Sequence, residues 1–227
     1  MIIYAKQPVY YVLKNHPKKI KKLYLAKELD KKEYNHLLSF GVEVKRIPPN
    51  AAGVMCKNGN HQGFLAEMEE FKTQDYREFL NYDFVLLLSS LSDVGNIGSI
   101  VRSAYALGVD AIVVSGVKTL PFEAIARTST GAIFDMPFAL ERNIHDVLND
   151  FKTSGFRLYG ASMDGVDVKK ASFAKKKLLV LGSEGEGLTQ KVSSKLDELL
   201  SIKMRHDFDS LNVGVAAAIL IDRMVDE

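Results

Sequence analysis

The sequence lacks several features that define common protein classes. It has a single cysteine, Cys56, among 227 residues, which excludes an internal disulfide and a cysteine-based zinc cluster. No apolar run reaches the roughly 18 residues of a membrane-spanning helix, so no membrane partner is expected. The first residues, Met1–Lys6, lack the charged lead and long apolar core of a signal peptide. We therefore expect a cytoplasmic protein.

Signatures of common enzymes are also absent. There is no G-x-G-x-x-G for a dinucleotide, no Walker A loop and no G-x-S-x-G of a serine hydrolase. His206, Asp207 and Ser210 lie close together in the sequence, but local clustering of these residue types is usually chance. The five histidines lack the spacing of a zinc site, so we predict no metal.

The charge of the chain is unevenly distributed. The composition, 47% hydrophobic and 26% charged with a net charge of +2, is that of a globular protein. Residues 1–50 hold eleven Lys and Arg against four acids, a net charge of +7, which leaves −5 for the rest. A basic first quarter suggests a polyanion partner such as nucleic acid. A solvated lysine-rich face is an equally good interpretation of the charge alone.

The patterns predict two domains joined by a linker. A small α/β domain is predicted over residues 1–72, a polar linker over 73–82 and a larger domain over 83–227. Strand-like and helical runs alternate along the larger domain, which predicts a mostly parallel sheet covered by helices. The strand-like runs there are Phe84–Leu88, Ala111–Ser115, Arg157–Ala161, Leu178–Leu181 and Leu199–Met204, and the helical runs are Ile97–Leu107, Phe122–Thr128, Ile144–Thr153 and Ser210–Val225.

Ligands of such sheets bind at the carboxyl ends of the strands, which directs attention to three loops. The first spans residues 92–104, opens a helix that Gly108 ends, and carries Arg102 beside the small residues Gly98 and Ser99. A ligand or partner can approach this arginine closely, and a guanidinium suits phosphate. A surface arginine with no further role is the alternative.

The second loop, G-S-E-G-E-G at residues 182–187, follows a continuous apolar strand. Its glycines allow backbone N–H groups to approach a ligand. Its acids, Glu184 and Glu186, would repel phosphate, so the loop better suits a cationic ligand or an orienting role for an arginine. A plain β-turn is the structural alternative.

The third loop precedes the last helix, which is apolar nearly all round and is therefore predicted to be buried. Asp209 or Ser210 would cap this helix. Asn212 is harder to explain as a capping residue, so its side-chain amide is a candidate for contact with a ligand.

Together, the three segments resemble the three sequence motifs of the SpoU (TrmH) family of RNA ribose 2′-O-methyltransferases. The matching segments are N-x-G-S-I-x-R-S-A at 96–104, L-G-S-E-G-E-G-L at 181–188 and S-L-N-V-x-V-A at 210–216. The N-terminal part is similar to the substrate-binding domain of 23S rRNA guanosine-2′-O-methyltransferases through Ile3–Leu13 and His61-Gln62-Gly63. The resemblance covers essentially the whole chain and is weaker before residue 80.

The resemblance implies an α/β fold with a C-terminal knotted methyltransferase domain, of the trefoil SPOUT type with a parallel sheet, and a small N-terminal L30e-like domain that holds RNA. It implies S-adenosylmethionine as cofactor and a homodimer. Carried over to this sequence, it implies catalytic roles for Asn96, Arg102, Glu184, Ser210 and Asn212, donor contacts from Gly182, Ser183, Gly185, Ile202, Met204 and Leu211, and RNA contacts from Lys18, Lys19, His61 and Gln62.

The sequence departs from the family pattern at two positions. Val94 replaces the proline that often precedes the first motif, and Lys203 replaces the proline before the third. Both changes affect loop rigidity, and Lys203 adds a charge near the implied donor site. Neither change removes an implied catalytic side chain.

The implied reaction is attack by a ribose 2′-oxygen on the methyl group of the donor. Because a guanidinium loses its proton only above about pH 12, we expect Arg102 to hold a phosphate and stabilise the developing oxyanion rather than act as a base. Glu184 would orient Arg102 or hold a loop amide. The most favoured substrate is 23S rRNA; tRNA and a non-catalytic role in RNA binding or ribosome assembly are the alternatives.

Overall fold

The computed structural model describes residues 1–183, 185–206 and 210–225. The chain forms two compact units. Unit 1 comprises Met1–Lys72 and Pro121–Phe134, and unit 2 comprises Thr73–Leu120 and the chain from Asp135 onward. The division differs from the predicted one in two respects: the segment 121–134 belongs to the first unit, and the predicted linker 73–82 belongs to the second.

Packing explains why 73–82 is not a free linker. Tyr76–Asn81 form a 3₁₀ turn, and Tyr76 and Phe79 are almost fully buried in the core of unit 2. The Tyr76 hydroxyl donates to the Asp150 carboxylate at 2.7 Å. The aromatic residues in this polar stretch are therefore core residues, and burial of such rings stabilises the fold by a few kcal/mol each.

Unit 1 is a four-stranded sheet, in the described residues, with helices packed on it. The strand order is β1-β4-β2-β3, with β2 and β3 parallel and the other pairs antiparallel. Its elements are β1 (Ile2–Tyr4), α1 (Lys6–Asn15), β2 (Ile20–Leu25), α2 (Lys31–Leu38), β3 (Val44–Arg46), α3 (Pro49–Met55) and β4 (Phe64–Met68).

Unit 2 is built on a parallel sheet of six strands within the described residues, in the order β10-β8-β9-β5-β6-β7. Its elements are β5 (Phe84–Ser89), α4 (Val94–Leu107), β6 (Ala111–Ser115), β7 (Phe138–Glu141), α6 (Ile144–Thr153), β8 (Arg157–Asp167), β9 (Lys177–Leu181), α7 (Gln190–Ser193), β10 (Glu198–Ser201) and α8 (Val213–Val225). Helix α5 (Phe122–Thr128) lies between β6 and β7 in the sequence and belongs to unit 1.

The two central strands explain the apolar runs in the sequence. Every residue of β5 and β9 is buried, as expected for parallel strands covered on both faces. The strands β9 and β5 are neighbours, with Leu88 in register with Leu181, although 87 residues of chain lie between the end of β5 and the start of β9. Their carboxyl ends therefore bring the loop after β5 and the glycine-rich loop after β9 to the same edge of the sheet.

Several predicted elements have different bounds in the structure. The strand expected over Leu199–Met204 ends at Ser201, and the helix expected from Ser210 begins at Val213. Strands β1 and β7 were not predicted, because strands of three and four residues give too short a pattern for alternation to be recognised. None of the helices in the described part of the chain is long and apolar enough to span a bilayer.

Candidate active site

Helix α4 presents the first motif. The Asp93 side chain caps this helix by accepting a hydrogen bond from the Asn96 backbone N–H at 2.7 Å, and Gly108 ends it in the left-handed conformation, as predicted. Asn96 therefore lies in the first turn, at the carboxyl edge of the sheet. Its side chain is partly exposed and accepts a hydrogen bond from Nδ2 of Asn212 at 2.9 Å.

Asn212 is the residue that starts helix α8. Its Oδ1 accepts hydrogen bonds from the N–H groups of Gly214 at 2.9 Å and Val215 at 3.3 Å. Asp209, one of the two predicted capping residues, lies outside the described residues. Among the described residues, the side-chain capping bonds come from Asn212 rather than from Ser210. A single amide thus has two roles, because its oxygen caps α8 and its nitrogen binds Asn96.

A close approach of two helices brings the first and third motifs together. A Cβ at Gly214 would lie 2.2 Å from Oγ of Ser99, so a side chain at this position would displace the Ser99 hydroxyl from between α8 and α4. Ser99 in turn donates its hydroxyl to the Asn96 carbonyl at 2.9 Å. Small residues at 99 and 214 therefore set the distance over which Asn96 and Asn212 meet.

Arg102 lies apart from this pair. It is exposed on α4, and within residues 1–183, 185–206 and 210–225 no hydrogen bond or ion pair engages it. Glu184, its predicted partner, lies outside the described residues. The guanidinium is consequently available to a ligand from solvent, and the structure does not bring it into contact with Asn96 or Asn212.

A cavity of about 480 Å³ lies beside the middle of β8 and the carboxyl ends of β9 and β10, within the usual range for small-molecule sites. It unites segments that are far apart in the sequence. The predicted residues that line it are Gly182, Ser183, Gly185, Ile202, Met204, Ser210 and Leu211. Lys203, although adjacent to two of them, is not a lining residue, so its side chain does not add a positive charge to the wall.

The glycine-rich turn forms one wall of the cavity. The Gly187 N–H donates to the Ser183 carbonyl at 2.9 Å, and Gly187 has a φ of 64°. A Cβ at Gly182 would lie 2.1 Å from the Gly187 carbonyl carbon. The turn thus closes on itself so tightly that position 182 admits no side chain, which leaves its backbone accessible from the cavity.

A second wall was missed by the sequence reasoning. Strand β8 pairs with β10 at Gly160↔Leu199 and again at Val166↔Leu200, so residues 161–165 leave the ladder between these pairs. Ala161, Ser162, Met163 and Asp164 line the cavity. The signal in the sequence is a strand interrupted by two glycines, Gly160 and Gly165, which typically marks a bulge or a close backbone approach.

The residues predicted to bind RNA lie in unit 1, at opposite ends of α1. Gln62 accepts a hydrogen bond from the Lys6 N–H at 3.1 Å, at the start of the helix, and His61 Nδ1 accepts from the Gly63 N–H at 3.0 Å. Lys18 and Lys19 follow the helix end and are exposed without an ion pair among the described residues. Ten helical residues span about 15 Å, so the structure does not gather the four side chains into one cluster.

The start of α1 also carries a charged network. Glu33 accepts hydrogen bonds from the Lys6 ammonium at 2.7 Å and the Tyr10 hydroxyl at 2.9 Å. The hydrogen bond from Lys6 holds the pKa of Glu33 below its ordinary value, and the bond from Tyr10 adds to this effect. Together they outweigh burial, which alone would raise that pKa. Burial and the bond to Glu33 raise the pKa of Tyr10, so both groups keep their charge states at neutral pH.

No cluster of three or more His, Cys, Asp or Glu with metal-binding geometry occurs in the part of the chain that the structure describes. The candidate features of the site are the glycine-lined cavity, the Asn96–Asn212 amide pair and the exposed Arg102.

Comparison with known proteins identifies the family. Residues 83–222 match the SpoU rRNA Methylase family, and residues 2–74 match the domain described as RNA 2′-O ribose methyltransferase substrate binding. The chain belongs to the SpoU family. The predicted family and fold class are thereby confirmed, and the chain is an RNA methyltransferase of the SpoU/TrmH type.

The individual proteins that this chain is similar to include methyltransferases of the same SpoU/TrmH type. A TrmH family tRNA/rRNA methyltransferase of Staphylococcus epidermidis is 30% identical over 89% of this chain and 86% of its own length. The SpoU methyltransferase AviRb of Streptomyces viridochromogenes, solved with AdoMet, is 25% identical, with a TM-score of 0.80 over 100% of this chain and 89% of its own. The A. aeolicus TrmH/SpoU tRNA modifying enzyme is 25% identical, with a TM-score of 0.58 over 66% of this chain and 79% of its own.

Proposed function

We propose that this protein transfers a methyl group from S-adenosylmethionine to a ribose 2′-oxygen of RNA, most simply at a guanosine of 23S rRNA, and acts as a cytoplasmic homodimer. The observation that carries the proposal is the single cavity that joins the glycine turn, residues Ile202 and Met204, and the Ser210–Leu211 segment. The AdoMet-bound structure of AviRb supports the same ligand for this chain.

The residues present fit this donor. The Gly182 position, where a Cβ would meet backbone, forms a cradle of main-chain N–H and C=O groups that can read an adenine edge and ribose hydroxyls. Leu188 and Leu220 supply apolar walls. We assign Gly182, Ser183, Gly185, Ile202, Met204 and Leu211 to donor binding. When bound, the donor supplies a methyl group on a sulfonium centre.

The polar residues around the cavity position the acceptor. Asn96 and Asn212 hold each other in a fixed geometry, and we assign these two amides and the Ser210 hydroxyl to orienting a ribose. The exposed Arg102 holds the phosphate beside that ribose and stabilises negative charge as the 2′-hydroxyl loses its proton. Glu184 completes the proposed catalytic set through its place in the second motif.

RNA is the acceptor because DNA has no 2′-hydroxyl. Unit 1 supplies phosphate affinity through exposed lysines, among them Lys18 and Lys19, and His61 and Gln62 form a second point of contact. Two-unit architecture favours rRNA: the alignment with the A. aeolicus tRNA modifying enzyme leaves a third of this chain uncovered. The relatives named for both tRNA and rRNA make tRNA the second candidate.

The dimer is inferred from apolar residues that one chain leaves exposed. Helix α8 was expected to be buried all round, yet Val215 is 50% exposed, and Tyr105 on the neighbouring α4 is 44% exposed. Large apolar side chains on two packed helices favour a second copy as their cover. Sedimentation of the Tyr105→Lys/Val215→Lys variant as a monomer, with the wild type as a dimer, is the expected result.

The activity test uses methyl-labelled S-adenosylmethionine with unmodified 23S rRNA and unmodified tRNA in separate reactions. Label in 23S rRNA that protects one nucleotide from alkaline cleavage supports the proposal. Label in tRNA alone overturns the substrate and keeps the chemistry. Failure to bind the donor, measured by calorimetry, favours a non-catalytic RNA-binding role.

A further inference from the structure

The cavity has an uneven charge that the transfer mechanism does not use. Among the described residues that line it, the charged side chains are Asp164 and Glu186, and both are acids. Both are exposed at its mouth, and neither carboxylate has an ion-pair partner in the described part of the chain. The described wall is therefore negative at neutral pH.

Asp164 is held in place by the path of β8. Residues 161–165 of β8 are held in place at Gly165. A Cβ at this position would lie 2.5 Å from the Leu199 carbonyl, so the two backbones are in close contact. The Ser201 hydroxyl also donates a hydrogen bond to the Gly165 carbonyl at 2.8 Å. At the other end of this segment, a Cβ at Gly160 would lie 2.3 Å from the Leu196 side chain. The close backbone approach and the hydrogen bond at Gly165 hold that end of the segment, and Asp164 lies on the cavity wall.

Glu186 belongs to the glycine-rich turn that follows β9. It lies between Gly185 and Gly187 in the turn that the Gly187-to-Ser183 hydrogen bond closes. Residues 161–165 of β8 and the glycine-rich turn thus each place one carboxylate, Asp164 and Glu186, on the wall of one cavity. Because Lys203 does not line the wall, no described lining side chain cancels this charge.

We propose that Asp164 and Glu186 make the cavity selective for a cationic ligand over its neutral counterpart. The inference rests on the proposed function, in which the ligand is S-adenosylmethionine. This donor carries one net positive charge, whereas the product S-adenosylhomocysteine, which has lost the methyl group and the sulfonium charge, is neutral overall. The two carboxylates therefore favour the donor and promote exchange of product for donor after each turnover.

The size of the effect follows from Coulomb interaction in a solvated site. One carboxylate several ångströms from one positive charge in water changes the affinity by about threefold, and two carboxylates by about tenfold. Since both side chains are exposed, added salt should reduce the preference. The effect is modest for binding but sufficient to change the degree of product inhibition.

The test measures binding of S-adenosylmethionine, S-adenosylhomocysteine and sinefungin, a cationic analogue, by calorimetry at low salt. The isosteric double variant Asp164→Asn/Glu186→Gln should lower the affinity for both cationic ligands about tenfold and leave that for S-adenosylhomocysteine within twofold. The control Glu28→Gln/Glu69→Gln removes two exposed acids of unit 1 and should change none of the three affinities.

A ratio of donor to product affinity that stays within twofold in the double variant overturns the inference, as does an equal change in the control. These outcomes differ from failure of the proposed function, in which the wild-type protein binds none of the three ligands. A second measurement is inhibition of methyl transfer by S-adenosylhomocysteine at fixed donor concentration. It should become stronger in the double variant and stay unchanged in the control.

Discussion

Asn212 donates from Nδ2 to Oδ1 of Asn96 at 2.9 Å, although 116 positions separate the two residues in the sequence. The same Asn212 side chain caps α8 through its oxygen. The first residues of α4 and α8 are therefore fixed relative to each other by one amide whose donor and acceptor have different roles. This separation of roles allows cap and site to be tested independently.

Replacing Asn212 by Asp keeps the oxygen that caps α8 and removes the N–H donor to Asn96. We expect thermal stability close to that of the wild type, because Asp and Asn are comparable capping residues. Methyl transfer should fall by at least tenfold, since Asn96 loses its orienting partner and faces a carboxylate. Unfolding temperature and initial rate are the measurements.

Asn212→Ala is the matched variant, because it removes both functions. It should lower stability by about 1 kcal/mol and reduce transfer at least as much as Asn212→Asp. Equal activity of the Asp variant and the wild type would show that the amide pair has only a structural role.

The glycines of the second motif differ in how much space the protein leaves for a side chain. Gly182→Ala places a Cβ 2.1 Å from the Gly187 backbone, so the turn must open and donor affinity should fall more than tenfold. At Gly185 a Cβ meets no protein atom within 4 Å, so Gly185→Ala leaves the turn closed and should lose less donor affinity than Gly182→Ala. Donor titration by calorimetry compares the two, and an equal loss in both variants would contradict the geometry.

Arg102→Ala tests the proposed anionic contact. Because the side chain is exposed and does not line the cavity, donor affinity should stay within twofold of the wild type. Loss of transition-state stabilisation should reduce transfer by at least a hundredfold. Arg102→Lys keeps the charge without the planar fork and should recover part of the rate. Retained turnover in the alanine variant would exclude Arg102 from catalysis.

Lysines of unit 1 that lack ion pairs should contribute most to RNA affinity. Lys18→Ala/Lys19→Ala should weaken RNA binding and reduce the slope of log affinity against log salt by nearly two. Lys22 and Lys57, which pair with Glu43 and Glu123 at 2.9 and 3.0 Å, provide the control double variant. Filter binding at several salt concentrations measures both, and an equal effect of the two variants would argue against a specific surface.

Glu33 makes unit 1 sensitive to acid. Its pKa is lowered by the bonds from Lys6 and Tyr10, so it contributes stability that is present above its ordinary pKa of 4.5 and is lost as the pH falls through the lower folded value. The protection factors for amide exchange in α1 and α2, measured by mass spectrometry, should therefore fall below about pH 4.5.

Glu33→Gln should speed this exchange at pH 7, equivalent to about 1–2 kcal/mol, and flatten its response to acid. Glu43→Gln, in which the carboxylate is 63% exposed, should have little effect at either pH. An unchanged acid response in Glu33→Gln would assign the sensitivity to another group.

The sequence by itself predicts those strands and helices whose formation depends mainly on residues close together in the chain. The strand Ala111–Ser115 and the helix Phe122–Thr128 have their predicted bounds, because continuous or periodic apolar runs are recognisable from neighbouring residues alone. Three short motifs, read in order, were also sufficient to indicate the SpoU family. These inferences need only the chain within about ten residues of each position.

Tertiary structure decided what depends on distant segments. Only packing shows that Tyr76 and Phe79 in a polar stretch are core residues, that residues 121–134 belong to unit 1, and that Asn212 rather than Ser210 caps α8. The wall formed by residues 161–165 likewise exists because β10 breaks its register with β8. Such features arise from contacts between elements that are far apart in the sequence. Their side chains and backbones pack against each other, and no short sequence pattern predicts which segments will do so.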